Sequence, residues 1–239
     1  MNFLQLQQTF PNTSTDILED LTTLINSHAS DFGIDSDEKM QHFLSQAGHE
    51  SSNFAGVPFS AFTENLNYRV NQLGVEYWHN YFNPISDPTL DPNKANPLEF
   101  AQYPGSTFVD HEKFANYVYS DQYRTFKLGN TNPGDGYKFR GRGIIQLTGR
   151  DNYERFNTFY QNNYDSTVDL ISNPDLLSNN TEIAVISALW FFENNVLNIG
   201  NINENTSVAE VTKKVNGKYN GLDHRKNLFN STSTHINCL

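Results

Sequence analysis

Cysteine is almost absent. Cys238 is the only one in 239 residues, so an intramolecular disulfide and a cysteine-based zinc or iron–sulfur site are both excluded. Long apolar runs are missing as well. The longest, Ile183 to Phe192, is ten residues interrupted by Ser187, about half of what a bilayer-spanning helix needs. Positive charge is scarce: 16 Lys and Arg stand against 27 Asp and Glu, a net charge of −11. Nucleic acid and anionic membranes would repel such a chain as a whole, so neither is expected as a partner. The first fifteen residues have no basic start and no apolar block, and therefore do not read as a secretory signal.

What is abundant is asparagine, with 32 residues, alongside 18 Phe and 12 Tyr. That composition looks like an aromatic core under an amide-rich surface. Such a surface hydrogen-bonds well to neutral polar ligands such as sugars, though AT-rich coding bias gives the same excess and is the simpler reading. Helical periodicity begins after Thr15, with Ile17, Leu18, Leu21, Leu24 and Ile25 on one face and Gly33 as a stop. A second helix is predicted after Ser36, carrying Met40, Phe43, Leu44 and Ala47 into His49-Glu50. Further helices are predicted over Phe108–Tyr119, from near Asp151, and from Thr181, where IAVISALWFF is apolar on every side and should be central. Ser207-x-x-Glu210 is a capping box opening a helix that ends at Gly217, and a short last helix holds Leu222, Arg225, Leu228 and Phe229. Five prolines between Phe82 and Ser106 forbid long regular structure there. A loop of that length is functional or an insertion. No repeat and no linker separates two cores, so one domain over 1–239 is expected.

Glu50 lies at the edge of its helix's apolar stripe, with His49 pointing away from it. A carboxyl half-buried beside a core face is a setting that suits a general acid. Glu64, in the loop TENLNY, supplies a second carboxylate. One carboxyl to protonate a leaving oxygen and one to activate water is the requirement of glycoside hydrolysis. A zinc protease is improbable, because HESSN lacks the second histidine of HExxH. In GRGIIQLTG the alternation of Ile145 and Leu147 with Gln146 and Thr148 reads as a short extended segment presenting an amide and a hydroxyl. VNGKYNG reads as a helix cap and a tight turn. Arg225, four residues further on, could pair with a carboxylate or be solvated.

Taken in order, FLSQAGHESSNF, TENLNY, FANYVYSD, GDGYKFRGRGIIQLTGRDNY, SALWFF and VNGKYNG-LDHR resemble glycoside hydrolase family 19, over roughly residues 38–230. The set is most similar to the bacterial and phage branch of chitinases and endolysins. The resemblance implies a mainly α, lysozyme-like domain with a minimal β element and long loops lining a substrate cleft. It implies an inverting β-1,4-glycosidase acting on N-acetylglucosamine-containing polymers, with no metal and no organic cofactor. It places the general acid on Glu50, the general base on Glu64 and a water-holding hydroxyl on Thr148. Gln146, Asn216, Arg225, Tyr137, Asn152 and Tyr153 are assigned to the cleft, Arg225 as a residue that orients carboxylates. Glu76 and Asp135 are the alternatives for the base.

The substrate expected is peptidoglycan, with chitin the alternative and a non-catalytic glycan-binding protein a third reading. Five basic side chains between 138 and 155 (Lys138, Arg140, Arg142, Arg150, Arg155) set that segment against the negative whole. Without a secretory signal, the chain is expected to be made in the cytoplasm and to reach the wall through lysis or a dedicated export machine. Any immunity or delivery partner is unknown from the sequence.

Overall fold

The computed structural model describes residues 1–54, 62–75, 78–198 and 202–237. Glu76 and Cys238 lie outside these. The fold is mostly helical, and the β element among the described residues consists of isolated bridges. The chain divides into two compact units: 1–63, 141–147 and 167–239 form the first, and 64–140 with 148–166 form the second.

The first unit holds α1 (Phe3–Thr9), α2 (Thr15–His28), α3 (Asp37–Glu50), α7 (Leu176–Asn179), α8 (Thr181–Phe192), α9 (Val208–Asn216) and α10 (Leu222–His235). Helix α8 is its centre. Asn180 caps it through Ile183 N–H, and nine of its twelve residues are buried, so no face is left for solvent. Helix α2 packs on α8, and α3, α9 and α10 pack on one another, α3 most extensively on α10. Two expectations are corrected here. Phe3–Thr9 is helical, started by a capping box between Asn2 and Gln5, and it packs on α2 and α10. The last helix is fourteen residues long rather than short.

The second unit holds α4 (His111–Val118), α5 (Asp135–Lys138) and α6 (Arg150–Asn163). Helix α4 starts three residues later than the apolar pattern suggested, because Asp110 caps it through Lys113 N–H. Phe108 stays outside, under the guanidinium of Arg69. The proline-rich segment is ordered around one amide. Asn83 is 1% exposed. Its Nδ2 donates to the carbonyls of Pro88 (3.0 Å), Asp91 (2.9 Å) and Lys94 (3.4 Å), and its Oδ1 accepts from Asp91 N–H at 2.9 Å. The flanking Phe82 and Phe100 join Phe114 and Val118 in the core of this unit.

Candidate active site

Glu50 is the last residue of α3. Ser36 caps the helix, with Asp37 and Glu38 in the first turn, where carboxylates complement the N-terminal dipole. The preceding Gly48 is required by close packing: a Cβ there would sit 2.7 Å from the ring of Phe10. Beyond Glu50 the chain leaves through Ser52, Asn53 and Phe54, all with φ between 53° and 63°. That conformation is costly for residues other than glycine. It is held by Thr13, whose hydroxyl donates to Asn53 O at 2.6 Å, and by Phe54, which is wholly buried with its ring edge on Phe10.

Arg225 on α10 is 1% exposed. Its Nη1 donates to Gln46 Oε1 at 2.6 Å, its Nε to Asn220 O at 3.2 Å and its Nη2 to Glu50 Oε1. Gln46 is fully buried and reaches Thr212 on α9. The pairing foreseen as one option for Arg225 is therefore present, and Gln46 is a partner the sequence reading missed. Its signal was a polar residue one turn before Glu50 on the apolar face. His49 leaves that face as expected, but α10 covers it. Its Nδ1 lies 2.8 Å from His224 Nδ1, and a Cβ at Gly221 would collide with its ring at 2.0 Å. Burial, then the charges of Arg225 and His224, lower its pKa to about 4.

In the second unit Glu64 is half-buried, and Tyr119, the residue after α4, donates its hydroxyl to Glu64 Oε1. Asp135 is 2% exposed and bound to Arg150 at 2.5 Å. Burial alone would raise its pKa, but the bonds from Arg150 and Asn132 outweigh that and leave it below the usual carboxylate range. It is an anchor of the α5–α6 region.

The geometry corrects the extended reading of GRGIIQLTG and the role of Tyr153, and places the other residues assigned to the cleft. Residues 143–146 form a turn closed by an Arg142–Leu147 bridge, not an extended segment. Ile145 and Leu147 are buried while Gln146 and Thr148 are half-buried, so the apolar and polar residues still alternate in burial within the turn; Ile144 is buried as well. Gln146 is half-buried at φ 55°, and its Nε2 donates to Gly143 O at 3.2 Å. Thr148 is half-buried too, and its carbonyl accepts from Asn152 Nδ2 at 2.8 Å. Tyr153 is 0% exposed, with its hydroxyl on Arg140 O at 2.8 Å, and so is a core residue rather than a sugar contact. Asn216 donates to Asn220 O and accepts from Lys218 N–H, which closes the turn before α10. Tyr137 remains half-buried, with the Arg140 guanidinium 4.1 Å from its ring centroid. The basic segment is less available than its composition suggests. Arg142 is 2% exposed and paired with Asp175, and Arg150 is paired with Asp135 and Glu154. Among the described residues there is no cluster of three or more His, Cys, Asp or Glu that could hold a metal.

The chitinase class I model of family 19 matches residues 103–208. A glycosyl hydrolase family 19 domain-containing protein of Haemophilus influenzae is 32% identical over 195 residues, 80% of this chain and 78% of the relative. The chain belongs to glycosyl hydrolase family 19. It is a glycoside hydrolase of chitinase type. An acidic endochitinase of Petunia hybrida is 31% identical over 109 residues, but those cover only 44% of this family 19 chain and 39% of the petunia protein. The crystal structure of chitinase C from Streptomyces griseus shares the fold, with a TM-score of 0.53 at 16% identity over 98% of this chain and 90% of that one. The family 19 match at 103–208 contains neither Glu50 nor Glu64; the longer bacterial relative carries the assignment for the chain.

Proposed function

We propose that the protein is an inverting endo-glycosidase that cuts β-1,4 bonds in the glycan strands of peptidoglycan, with Glu50 as general acid and Glu64 as general base. The observation that carries this reading is that each of the two carboxylates is gripped by a dedicated neighbour, Glu50 by buried Arg225 and Glu64 by Tyr119. Glu50 gives its proton to the leaving glycosidic oxygen. The carboxylate it becomes is met by Arg225. Glu64 takes a proton from water, which attacks the anomeric carbon from the opposite face and inverts it. Thr148 helps hold that water. The preference for peptidoglycan rests on the motif set, which is most similar to the bacterial and phage branch of chitinases and endolysins.

The test is clearing of outer-membrane-permeabilised cells. Wild type should clear them, and Glu50→Gln should be slower by on the order of 10³-fold. Inversion should appear as the α-anomer in the first products followed by NMR. A wild type that leaves the cells turbid overturns the peptidoglycan reading. Chitin is favoured as the second reading by the petunia endochitinase match and by the net charge of −11, which suits a neutral polymer better than an anionic one. Products from N-acetylglucosamine hexamer, with none from purified sacculi, would select it.

A further inference from the structure

We propose that Tyr119 is the positioning residue of the general base, its hydroxyl fixing the orientation in which the Glu64 carboxylate meets water. The proposal rests on the reading of Glu64 given above. It stands on a continuous set of bonds within the second unit. Tyr119 N–H donates to Ala115 O at the end of α4, and Tyr119 O accepts from Asn130 Nδ2 at 2.9 Å. Asn130 is 2% exposed, and its Oδ1 accepts from Arg150 N–H at 2.9 Å. Arg150 in turn holds Asp135 through two nitrogens, Nε at 3.0 Å and Nη2 at 2.5 Å. The Asp of the GDG stretch is thereby connected to Glu64 through Arg150, Asn130 and Tyr119. The phenol ring is fixed independently, by the edge of Trp78 with centroids 6.2 Å apart and by the Arg124 guanidinium 5.6 Å from its centroid. Arg124 is itself tied to Val118 O at 3.1 Å.

The phenol is a donor that does not become a base. Burial first, and then the negative charge of Glu64, push Tyr119 well above its usual value of 10, with Tyr68 adding to the shift and Arg124 opposing it. Tyr119 thus keeps its proton while Glu64 takes one from water. A hydrogen bond donated to a carboxylate favours the charged form that a base needs.

The experiment compares wild type, Tyr119→Phe, Glu64→Gln and the double variant, measuring reducing ends released from purified sacculi and from N-acetylglucosamine hexamer. For Tyr119→Phe we expect kcat to fall about tenfold with KM within about twofold, the size of one hydrogen bond to a charged group. The acidic limb of its kcat profile should move to higher pH. The double variant should be no slower than Glu64→Gln alone, because Tyr119 acts through Glu64. An unmoved limb, or losses that multiply in the double variant, would show a merely structural tyrosine and overturn the proposal while leaving Glu64 as base. Wild-type turnover by Glu64→Gln, or no turnover of either substrate by wild type, overturns both. If Tyr119→Phe does not fold, difluorotyrosine incorporated at 119 keeps the ring and strengthens the donor. The limb must then move to lower pH, and a stationary limb again overturns the proposal.

Discussion

In the unit that carries Glu50, a buried guanidinium on one helix grips a carboxylate at the end of another. In the unit that carries Glu64, a phenol just past a helix grips a carboxylate on a loop. The first arrangement depends on α3 and α10 staying packed, and helix packing is set by apolar stripes. The second depends on loops, and these are pinned by buried amides, Asn83 in one place and Asn130 in another. One unit therefore positions its carboxylate mainly through hydrophobic burial, and the other through satisfied polar groups. The difference predicts where each will fail.

The largest effect is expected at Arg225. Arg225→Met leaves Glu50 and buried Gln46 without their donor, and removing one partner of a buried pair typically costs about 3 kcal/mol or more. Denaturant unfolding should show that loss, and activity should fall with it, since the carboxylate loses its anchor. If Arg225→Met is as stable as wild type, the guanidinium does not hold the first unit together and the comparison breaks. Next in size is Asn83→Ala, which strands three carbonyls and one N–H. A loss of about 2 kcal/mol is expected, with hydrogen-exchange protection disappearing at Asp91 N–H while α3 and α10 keep theirs.

How much of this could be read from sequence follows the same division. Helices α2, α3, α8 and α9 announced themselves, because their apolar spacing, the Ser36 and Ser207 caps and the Gly217 stop are local signals. Helix α1 did not, since seven residues with three glutamines carry too little pattern. The proline-rich segment was legible only as irregular. A buried Asn83 looks like any of the other asparagines until its four partners, five to eleven residues away, are seen. At the site, Glu50, Glu64 and Arg225 stood out through the resemblance to a family. Tyr119 was visible only as part of FANYVYSD, because a contact 55 residues long leaves no periodicity behind. Tyr153 was misjudged for a related reason: a tyrosine one turn into a helix reads equally as a core ring or a sugar platform.

Acid should separate the two units. His42 and His49, both in the first, have pKa values lowered to about 4, chiefly by burial. For His42, the Thr206 carbonyl and the charges of Glu210 and Glu38 oppose the shift. A histidine held neutral in the fold binds its proton more readily when unfolded. Its contribution is therefore complete above pH about 6.5 and is lost as pH falls toward 4. Asp135 in the second unit is shifted below 3.8, so its contribution persists until more acidic conditions. Between pH 7 and 5, exchange protection corrected for intrinsic rates should weaken in α3 and α10 and hold in α5 and α6. His42→Gln should flatten the pH dependence of unfolding, with His42 giving the larger share because it is 1% exposed. Equal weakening of both units would remove this distinction.

The smallest effect tests whether a polar side chain in the helical unit is there for the fold or for the ligand. Gln146 sits at φ 55° in a turn whose other left-handed residue is Gly143. A non-glycine residue there costs about 1 kcal/mol or more, and glycine would relieve it at some cost in chain entropy. Gln146→Gly should therefore change stability by less than about 1 kcal/mol, in the stabilising direction, by denaturant unfolding. Its Nε2 reaches back to Gly143 O at 3.2 Å, and residues held in sparsely populated backbone conformations cluster at ligand sites. The strain then marks a ligand role, and KM for glycan should rise in the same variant while the fold stays intact. A destabilised Gln146→Gly with unchanged KM would instead put Gln146 among the structural amides, alongside Asn83 and Asn130. The division between a unit built on apolar packing and one built on buried amides would then have to be redrawn.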